Sequence, residues 1–366
     1  MKVTIFDPKR HYRPLEKEFL GAAKKVLASG RLVLGEETKN FEKEFARFCS
    51  TKYGVMVNSG TSALLATLLA YEIGKGDEVI TVPNTFAATV QAIIFSGAKP
   101  ILVDIDPQTY NLDPNKLEKA VSKKTRAIIV VHLYGQPAEM TAINKIARKY
   151  KLIVIEDAAQ AHGAKYKKKK VGNLGNAGCF SFFVTKNLPS FGTSGMVTTN
   201  SKRTAEKVRI LRDNGMIKKG NHILSLNFMP EELQAAFLRI KLKKLGDWNR
   251  KRRKIANFYK KQLVNLPLIL PQEEKDIYHV YYQFVVRTPQ KDQLQTFLES
   301  QGVMTRTYYP IPVHLQSGFK FLGYQKGSFP EAEKTSQQIL SLPLYPELKQ
   351  TELEFTVKQI KKFFRT

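Results

Sequence analysis

Acidic residues are scarce in this 366-residue sequence, which has 32 Asp and Glu against 59 Lys and Arg and a formal net charge of +27. A field of this sign draws in anionic partners or substrates. The lysines are scattered and match no recognisable nucleic-acid-binding module, so we expect no nucleic-acid partner. The simplest interpretation is a lysine-rich proteome, and a phosphate-bearing small substrate is the alternative that the charge allows.

Cysteine and long apolar runs are also scarce. The only cysteines, Cys49 and Cys179, argue against a disulfide framework and are typical of a reducing cytoplasm. No apolar run approaches the ~20 residues of a membrane span. Met1-Lys2-Val3 begins no signal peptide. We therefore expect a cytoplasmic globular protein that neither spans nor binds a membrane.

Short apolar runs alternate with helical patterns through the first two thirds of the sequence. This alternation predicts a mostly parallel sheet with helices packed on it. The last two runs are joined only by residues 184–194, too short for a crossover helix, so we expect one antiparallel strand. The seven predicted strands are Gly54–Val57, Glu78–Val82, Pro100–Asp104, Ala127–His132, Leu152–Glu156, Gly178–Phe183 and Gly195–Thr199.

The remaining patterns divide the chain. Two helices are predicted before the strands, at Leu15–Ala28 and Thr38–Phe48. A long helical stretch, Glu231–Val264, leads into a smaller α+β unit. We predict a large domain over residues 1–245 and a small C-terminal domain over 246–366. The elements predicted in the small unit are a strand at Tyr281–Arg287 and helices at Lys291–Gln301 and Glu352–Phe364.

One acid and one lysine follow neighbouring apolar runs. The run from Leu152 ends in Glu156-Asp157, and Lys186 follows the run Cys179–Phe183. Since open α/β sheets bind ligands at the carboxyl ends of their strands, both side chains can face one crevice. A lysine amine forms a Schiff base with pyridoxal phosphate, and an acid keeps the pyridine nitrogen protonated. Taken singly, the acid could be a helix cap and the lysine ordinary surface.

Two loops between a strand and a helix add to this pattern. The segment NSGTSA (58–63) offers the free amides of a helix start and the Thr61 hydroxyl as an anion site, or else an ordinary helix cap. The segment PNTFAAT (83–89) offers Phe86 as an aromatic face for a flat ring, or else a core side chain. Together the loops predict a phosphate site, a stacking ring, an acid and a lysine along one sheet edge.

An ordered series of motifs over nearly the whole chain resembles the DegT/DnrJ/EryC1/StrS family of pyridoxal-phosphate-dependent sugar aminotransferases. The resemblance implies the aspartate-aminotransferase fold (fold type I): a large domain with a seven-stranded, mostly parallel sheet and a smaller α+β C-terminal domain. The motifs are SGRLVLGEE, NSGTSAL, GDEVITVPNTFAAT, DIDPQTYNLDP, VVHLYGQPAEM, VIEDAAQAHGA, FSFFVTKNL, ELQAAFLRIKL, WNRKRRKIA, IPVHLQ and LSLPLYPEL.

The resemblance also implies roles for individual residues. Lys186 matches the Schiff-base lysine and Asp157 the acid on the pyridine nitrogen, and these two are the catalytic residues. Asn227 matches an asparagine that reaches the phosphate in the neighbouring subunit, which implies a homodimer with shared active sites. The other implied contacts are Gln160 with the ring hydroxyl, Phe86 stacked on the ring, Gly60, Thr61, Ser62 and Ser181 on the phosphate, and Tyr309 and His314 on the substrate. No metal is implied.

Several positions depart from the family pattern. After the lysine, Pro189 replaces a glycine and Thr193-Ser194 replace an acid–glycine pair. Met229 stands where an arginine is usual, Tyr308 replaces the histidine of a His-Tyr-Pro motif, and Tyr282 replaces a histidine. These changes fall on loops that shape the substrate pocket, so they bear on the identity of the sugar more than on the chemistry.

The resemblance implies an enzyme that moves an amino group from an amino acid, usually glutamate, to a nucleotide-linked keto-6-deoxyhexose. The nearest subfamily pattern is amination at C3 of a dTDP-sugar, with C4 amination as the alternative. A keto-sugar 3-dehydratase would carry histidine where Lys186 stands. A non-catalytic regulatory relative is suggested by the +27 charge. It is disfavoured because Asp157, Gln160 and Ser181 are retained together with Lys186.

Overall fold

A computed structural model describes residues 1–365 of the chain. Its first part is helical: α1 (Pro8–Tyr12), a 3₁₀ turn (Arg13–Leu15), α2 (Glu16–Ser29) and α3 (Glu36–Cys49). The Glu232 carboxylate caps the start of α3, since it accepts hydrogen bonds from the backbone N–H of Gly35 at 2.8 Å and of Thr38 at 3.2 Å. Both predicted N-terminal helices are confirmed.

The central part alternates strands and helices as predicted. The elements are β1 (Tyr53–Val57), α4 (Gly60–Ala70), β2 (Glu78–Thr81), α5 (Ala87–Phe95), β3 (Lys99–Leu102), α6 (Pro114–Leu117), β4 (Thr125–Val131), α7 (Met140–Lys149), β5 (Ile153–Asp157), β6 (Lys165–Tyr166), β7 (Lys169–Lys170), β8 (Ala177–Ser181) and β9 (Gly195–Thr199). All seven predicted strands form one sheet, in the order β1-β9-β8-β5-β4-β2-β3, and β9 is antiparallel to both of its neighbours.

The central strands read as unbroken apolar runs because both faces of the sheet are covered. On β4, Ile128 and Val130 pack into one core layer, while Ala127 and Ile129 pack into the opposite layer. This is the arrangement expected of a parallel sheet between two helical layers. Strands β1, β2, β4, β5 and β8 all run the same way, so the loops that follow them meet at one edge.

A small hairpin lies beside the central sheet. Strands β6 and β7 pair antiparallel, and Lys167 and Lys168 turn between them with positive φ values of 46° and 68°. The lysine run Lys167–Lys170 therefore forms the turn and the second strand of a hairpin. Strand β12 (Ile277–Tyr278) pairs with β6, which ties the later part of the chain to this hairpin.

The predicted long helix Glu231–Val264 is wrong in one respect, because it is interrupted. Helix α9 (Glu232–Leu242) packs on α2 and α3, whereas α10 (Leu245–Leu263) packs on α13 (Gln350–Phe363), so the two segments bury their apolar faces against different partners. The break at Lys243–Lys244 lets them diverge. The elements from β9 onward are α8 (Lys202–Arg212), β10 (Met216–Lys218), β11 (Asn221–His222), α9 (Glu232–Leu242) and α10 (Leu245–Leu263).

The C-terminal part has its own core, in which Tyr259, Phe284, Leu340 and Ile360 pack together with Val3 from the N-terminus. The predicted strand at Tyr281–Arg287 begins later, because Tyr281 has a φ of 46°, outside the extended region. The division at residues 245 and 246 stays a prediction. The elements are β13 (Phe284–Arg287), α11 (Lys291–Ser300), 3₁₀ turns at Val313–Leu315 and Ser317–Leu322, α12 (Pro330–Gln338), β14 (Ile339–Leu342) and α13 (Gln350–Phe363). Within residues 1–365, no helix has both the length and the apolar character to cross a membrane.

Candidate active site

A cavity of about 410 Å³ opens at the carboxyl edge of the central sheet. Its walls come from the loops after β1, β2, β5 and β8, and from three tyrosines of the C-terminal part. Among its lining residues, Asp157 and Lys186 are the charged ones. Eight of the residues singled out from the sequence line it: Gly60, Thr61, Phe86, Asp157, Gln160, Ser181, Lys186 and Tyr309.

Asp157 ends β5 and presents a buried carboxylate to the cavity. Thr89 donates its hydroxyl to Oδ2 at 2.8 Å, and the backbone N–H of Ala159 donates to Oδ1 at 3.2 Å. Burial raises the pKa of Asp157, although these hydrogen bonds and the charge of Lys186 oppose the rise. A cationic nitrogen in the cavity would offset this cost of burial.

Glu156, the residue before Asp157, points to the opposite side of the sheet and is fully buried. Its carboxylate accepts hydrogen bonds from His132 Nε2 at 3.0 Å and from three backbone N–H groups of the loop 172–175. His132 Nδ1 accepts from the backbone N–H of Ala138, so Nε2 carries the hydrogen. These bonds fix the end of β5, and thereby Asp157, in a way that the sequence did not indicate.

The start of α4 forms a cradle beside the end of β8. A Cβ on Gly60 would lie 2.7 Å from the Ser181 Cβ, so glycine is required for this close approach. Gly60, Thr61 and Ser181 line the cavity, but Ser62 does not. The Ser62 hydroxyl instead donates to Asn58 Oδ1 at 2.6 Å, and its N–H bonds the capping Ser59 hydroxyl. The phosphate contact of Ser62 stays a prediction.

Lys186 follows β8 on a turn in which its N–H donates to the Phe183 carbonyl at 2.8 Å. Its Nζ lies 4.8 Å from the centre of the Tyr282 ring, within the range of a cation–π contact. The Tyr282 hydroxyl is 3.2 Å from Thr185 Oγ1, which holds the ring in place. In the sequence Tyr282 stood out only as a departure from the family pattern, and its contact with Lys186 was missed.

Gln160 and Phe86 both lie next to Tyr309. Gln160 Oε1 accepts from the N–H of Tyr134 at 2.7 Å, and Nε2 donates to the Tyr309 hydroxyl at 3.1 Å. Burial raises the pKa of Tyr309, which keeps its hydroxyl neutral. The Phe86 side chain is 58% exposed, with its ring centre 5.8 Å from that of Tyr309. A solvent-facing ring at a cavity wall is suited to stacking on a flat ligand.

Besides Ser62, two other predicted residues lie outside the cavity lining. Asn227 is exposed, and its backbone carbonyl accepts from Asn58 Nδ2 at 3.2 Å, next to the cradle. His314 is 1% exposed, and its Nε2 pairs with Glu333 Oε1 at 3.0 Å. The predicted substrate contact of His314 stays a prediction, and its ring is enclosed by the C-terminal part of the chain.

The residues present fit pyridoxal phosphate. The buried carboxylate suits a protonated ring nitrogen, the helix start with Thr61 and Ser181 suits a phosphate, and Lys186 supplies an amine. The sequence reasoning missed other lining residues because their side chains reach the cavity only through the folded loops. They include Ser59, Thr85, Thr89 and Thr185, whereas four further lining residues were noted only as departures from the family pattern: Thr193, Ser194, Tyr282 and Tyr308.

Comparison with known proteins gives consistent matches. A model of the DegT/DnrJ/EryC1/StrS aminotransferase family matches residues 14–361. A pleiotropic regulatory protein of Geobacillus stearothermophilus is 45% identical, over 100% of this chain and 99% of its own length. The dTDP-3-amino-3,6-dideoxy-alpha-D-galactopyranose transaminase of Aneurinibacillus thermoaerophilus is 43% identical, over 99% of both chains. The crystal structure of S. venezuelae DesV in complex with a ketimine intermediate superposes with a TM-score of 0.97 at 39% identity, covering 100% of this chain and 99% of that one.

Proposed function

The chain belongs to the DegT/DnrJ/EryC1/StrS aminotransferase family and is a pyridoxal-phosphate-dependent aminotransferase, and we propose that its acceptor is a dTDP-linked 3-keto-6-deoxyhexose aminated at C3. The observation that carries the aminotransferase chemistry is that Lys186 and Asp157 share one cavity with the helix start at Gly60. We propose an amino acid, glutamate in the first instance, as the amino donor. The product would be an amino sugar for polysaccharide or related biosynthesis.

The chain's own residues divide the work of amine transfer. When bound, pyridoxal phosphate supplies the electron-withdrawing ring on which the reaction depends. The Asp157 carboxylate would hold the proton on the ring nitrogen, and Gln160 would bind the ring hydroxyl. The Lys186 amine would anchor the aldehyde covalently and, once released, move a proton at the substrate carbon through Nζ. Gly60, Thr61 and Ser181 would bind the phosphate, and Phe86 would cover the ring face.

The substrate assignment is supported by the character of the cavity wall. Apart from the acid and the lysine, the described lining is neutral, and it carries the hydroxyls of Thr193, Ser194, Tyr308 and Tyr309. Such a wall suits the hydroxyl groups of a sugar. The net charge of +27 favours the approach of an anionic nucleotide sugar.

The two other functions considered from the sequence fit less well. A keto-sugar 3-dehydratase would need histidine where Lys186 stands. A purely regulatory protein would gain nothing from a buried carboxylate and an amine in one cavity, although one relative is named as a regulatory protein. A catalytic role accounts for Asp157, Gln160, Ser181 and Lys186 together.

Incubation with a panel of keto-sugar nucleotides tests the substrate proposal. We expect the purified protein, loaded with cofactor and supplied with glutamate, to convert the dTDP-3-keto-6-deoxyhexose to its 3-amino product in mass spectra. Lys186→Ala serves as the inactive control. Turnover of only a 4-keto sugar would move the amination site to C4, whereas loss of a hydroxyl without amine gain would indicate a dehydratase. No turnover of any sugar would contradict the proposal.

We also infer a homodimer in which each site takes Asn227 from the other subunit. In support, Asn227 is exposed and adjoins the Asn58 side chain at the start of the cradle. The same segment exposes apolar side chains, with Leu224 99% and Leu226 55% exposed. Exposed apolar side chains grouped in this way mark interaction surfaces. Two copies related by a twofold axis would cover them and complete both cradles.

Mixing Asn227→Ala, which should retain the cofactor less well, with the inactive Lys186→Ala tests the shared site. In a mixed dimer of Asn227→Ala and Lys186→Ala chains, one site combines an intact Lys186 with an intact Asn227 from the other chain. The opposite site carries both lesions. We therefore expect activity to rise above that of either variant alone as the subunits exchange. Exchange seen by mass spectrometry without any recovery of activity would count against the shared site.

A cytoplasmic location is the remaining part of the proposal. It is supported by Cys49 and Cys179, which are both free and buried. Burial raises the pKa of both thiols, so neither is poised to form a disulfide.

A further inference from the structure

A lysine with no role in the chemistry above lies beneath the active-site loop. Lys241, near the end of α9, is 1% exposed. Its Nζ donates a hydrogen bond to the Pro189 carbonyl at 2.8 Å and lies 3.7 Å from the centre of the Phe191 ring. The ring of Phe19, on α2, is 5.2 Å away. One carbonyl and two aromatic faces therefore surround the amine.

Burying a charged ammonium group in this environment is unfavourable in free energy. Within residues 1–365, no carboxylate forms an ion pair with Lys241, and burial lowers its pKa to about 7. An apolar side chain of similar length would fill the same space without that cost. A lysine at this place is therefore explained better by what its amine holds than by packing.

The amine holds the middle of a segment that begins and ends in the cavity. Segment 186–194 begins at Lys186 and ends at Thr193 and Ser194, and these three residues line the cavity. Pro189 has no N–H, so its carbonyl is the one backbone polar group through which that residue can be anchored. The two residues after Pro189 are also held, since the Ser190 N–H donates to the Phe182 carbonyl at 2.6 Å and the Phe191 N–H donates to Gln234 Oε1 at 2.8 Å.

We propose that Lys241 is a positioning residue for the active site: by holding the Pro189 carbonyl, it fixes segment 186–194 and so sets the places of the Lys186 amine and the hydroxyls of Thr193 and Ser194. The functional consequence rests on the proposed role of Lys186. The mechanical part does not, because the order of the segment can be measured without any substrate. An experiment can therefore show separately whether the positioning contact of Lys241 fails or the proposed catalytic role of Lys186 fails.

Hydrogen exchange on the full chain tests the mechanical part. Lys241→Met keeps the length of the side chain and removes the donor, whereas Lys243→Met removes an exposed lysine from the same helix end. We expect the amides of segment 187–194 to exchange about tenfold faster in Lys241→Met, with or without cofactor. The amides of α13 should be unchanged in both variants. The cofactor should also bind severalfold more weakly to Lys241→Met, measured by equilibrium dialysis.

The pH dependence of hydrogen exchange distinguishes a positioning role of Lys241 from a packing role. The groups that face Lys241 are the rings of Phe19 and Phe191, and the nearby titratable group is His11 of α1, which is paired with Glu347. As pH rises through about 7 the amine loses its charge and becomes a weaker donor. Exchange of segment 187–194, corrected for its intrinsic pH dependence, should therefore accelerate above that pH in the wild type and not in Lys241→Met.

Two results would overturn the inference. Unchanged exchange of segment 187–194 in Lys241→Met would show that the amine does not hold the loop. Faster exchange across the whole chain, with equal effects on α13, would show that Lys241 contributes only to global stability. If the segment loosens but turnover is unchanged, the positioning of Lys186 by this lysine is disproved while the contact itself stands.

Discussion

Lys186→Ala is expected to abolish amine transfer, with a loss of at least about a thousandfold in kcat. Positioned general acid–base catalysis alone contributes about 10²–10⁴-fold, and the variant also loses the covalent anchor of the cofactor. In the wild type, borohydride reduction and peptide mapping should place the pyridoxyl group on Lys186. Reduction of Lys186→Ala should leave no label on protein.

Two further variants serve as controls. One tests whether the positive charge of Lys186 is enough without its amine, and the other tests whether the loss of any lysine lowers activity. Lys186→Arg keeps a cation beside Tyr282 but cannot form a Schiff base, so it should be as inactive as the alanine variant. Lys169→Ala changes an exposed lysine of the β6–β7 hairpin and should leave activity and labelling unaltered. A pyridoxyl label on any other lysine of the wild type would contradict the assignment.

The sheet could be predicted from the sequence because its strands are buried on both faces. Ile128 to Val131 and Ile153 to Ile155 read as unbroken apolar β-branched runs, and such runs need no distant contact to be recognised. The break at Lys243–Lys244 could not be predicted. It arises because α9 and α10 pack on different partners, and their joint sequence is helical throughout.

Part of the candidate site could likewise be predicted from the sequence, and part could not. Gly60, Phe86 and Lys186 stand in contiguous motifs at strand ends, so the topology alone brings them together. The fixing of Asp157 through Glu156 and His132, and the contact of Lys241 with Pro189, join residues far apart in the chain. Only the folded structure shows such pairs, and it also shows that His314 is enclosed with Glu333.

Asp157→Ala is expected to keep the bond between Lys186 and the cofactor but to lose the electron sink, since no acid remains to protonate the ring nitrogen. A rise of about 3 kcal/mol in the barrier would lower the rate about a hundredfold. Single-turnover reaction with glutamate, followed by absorbance, measures this step. Thr89→Val, which removes only the hydrogen bond to Oδ2, should have a smaller effect. Near wild-type rates in Asp157→Ala would show that the acid merely caps the N–H of Ala159.

The same carboxylate should lower the stability of the cofactor-free protein at neutral pH. Burial raises the pKa of Asp157 in the folded state, so between the ordinary aspartate pKa and the raised value the folded chain binds more protons than the unfolded one. Stability due to this group is then present at low pH and is lost as pH rises through that window. Cofactor-free Asp157→Asn, which carries no charge there, should melt above the wild type at pH 7 but not below pH ~3.9. Pyridoxal phosphate should reverse the order at pH 7, because only the wild type gains the pairing of a carboxylate with a protonated ring nitrogen. If the cofactor raises both melting temperatures equally, Asp157 makes no such pairing.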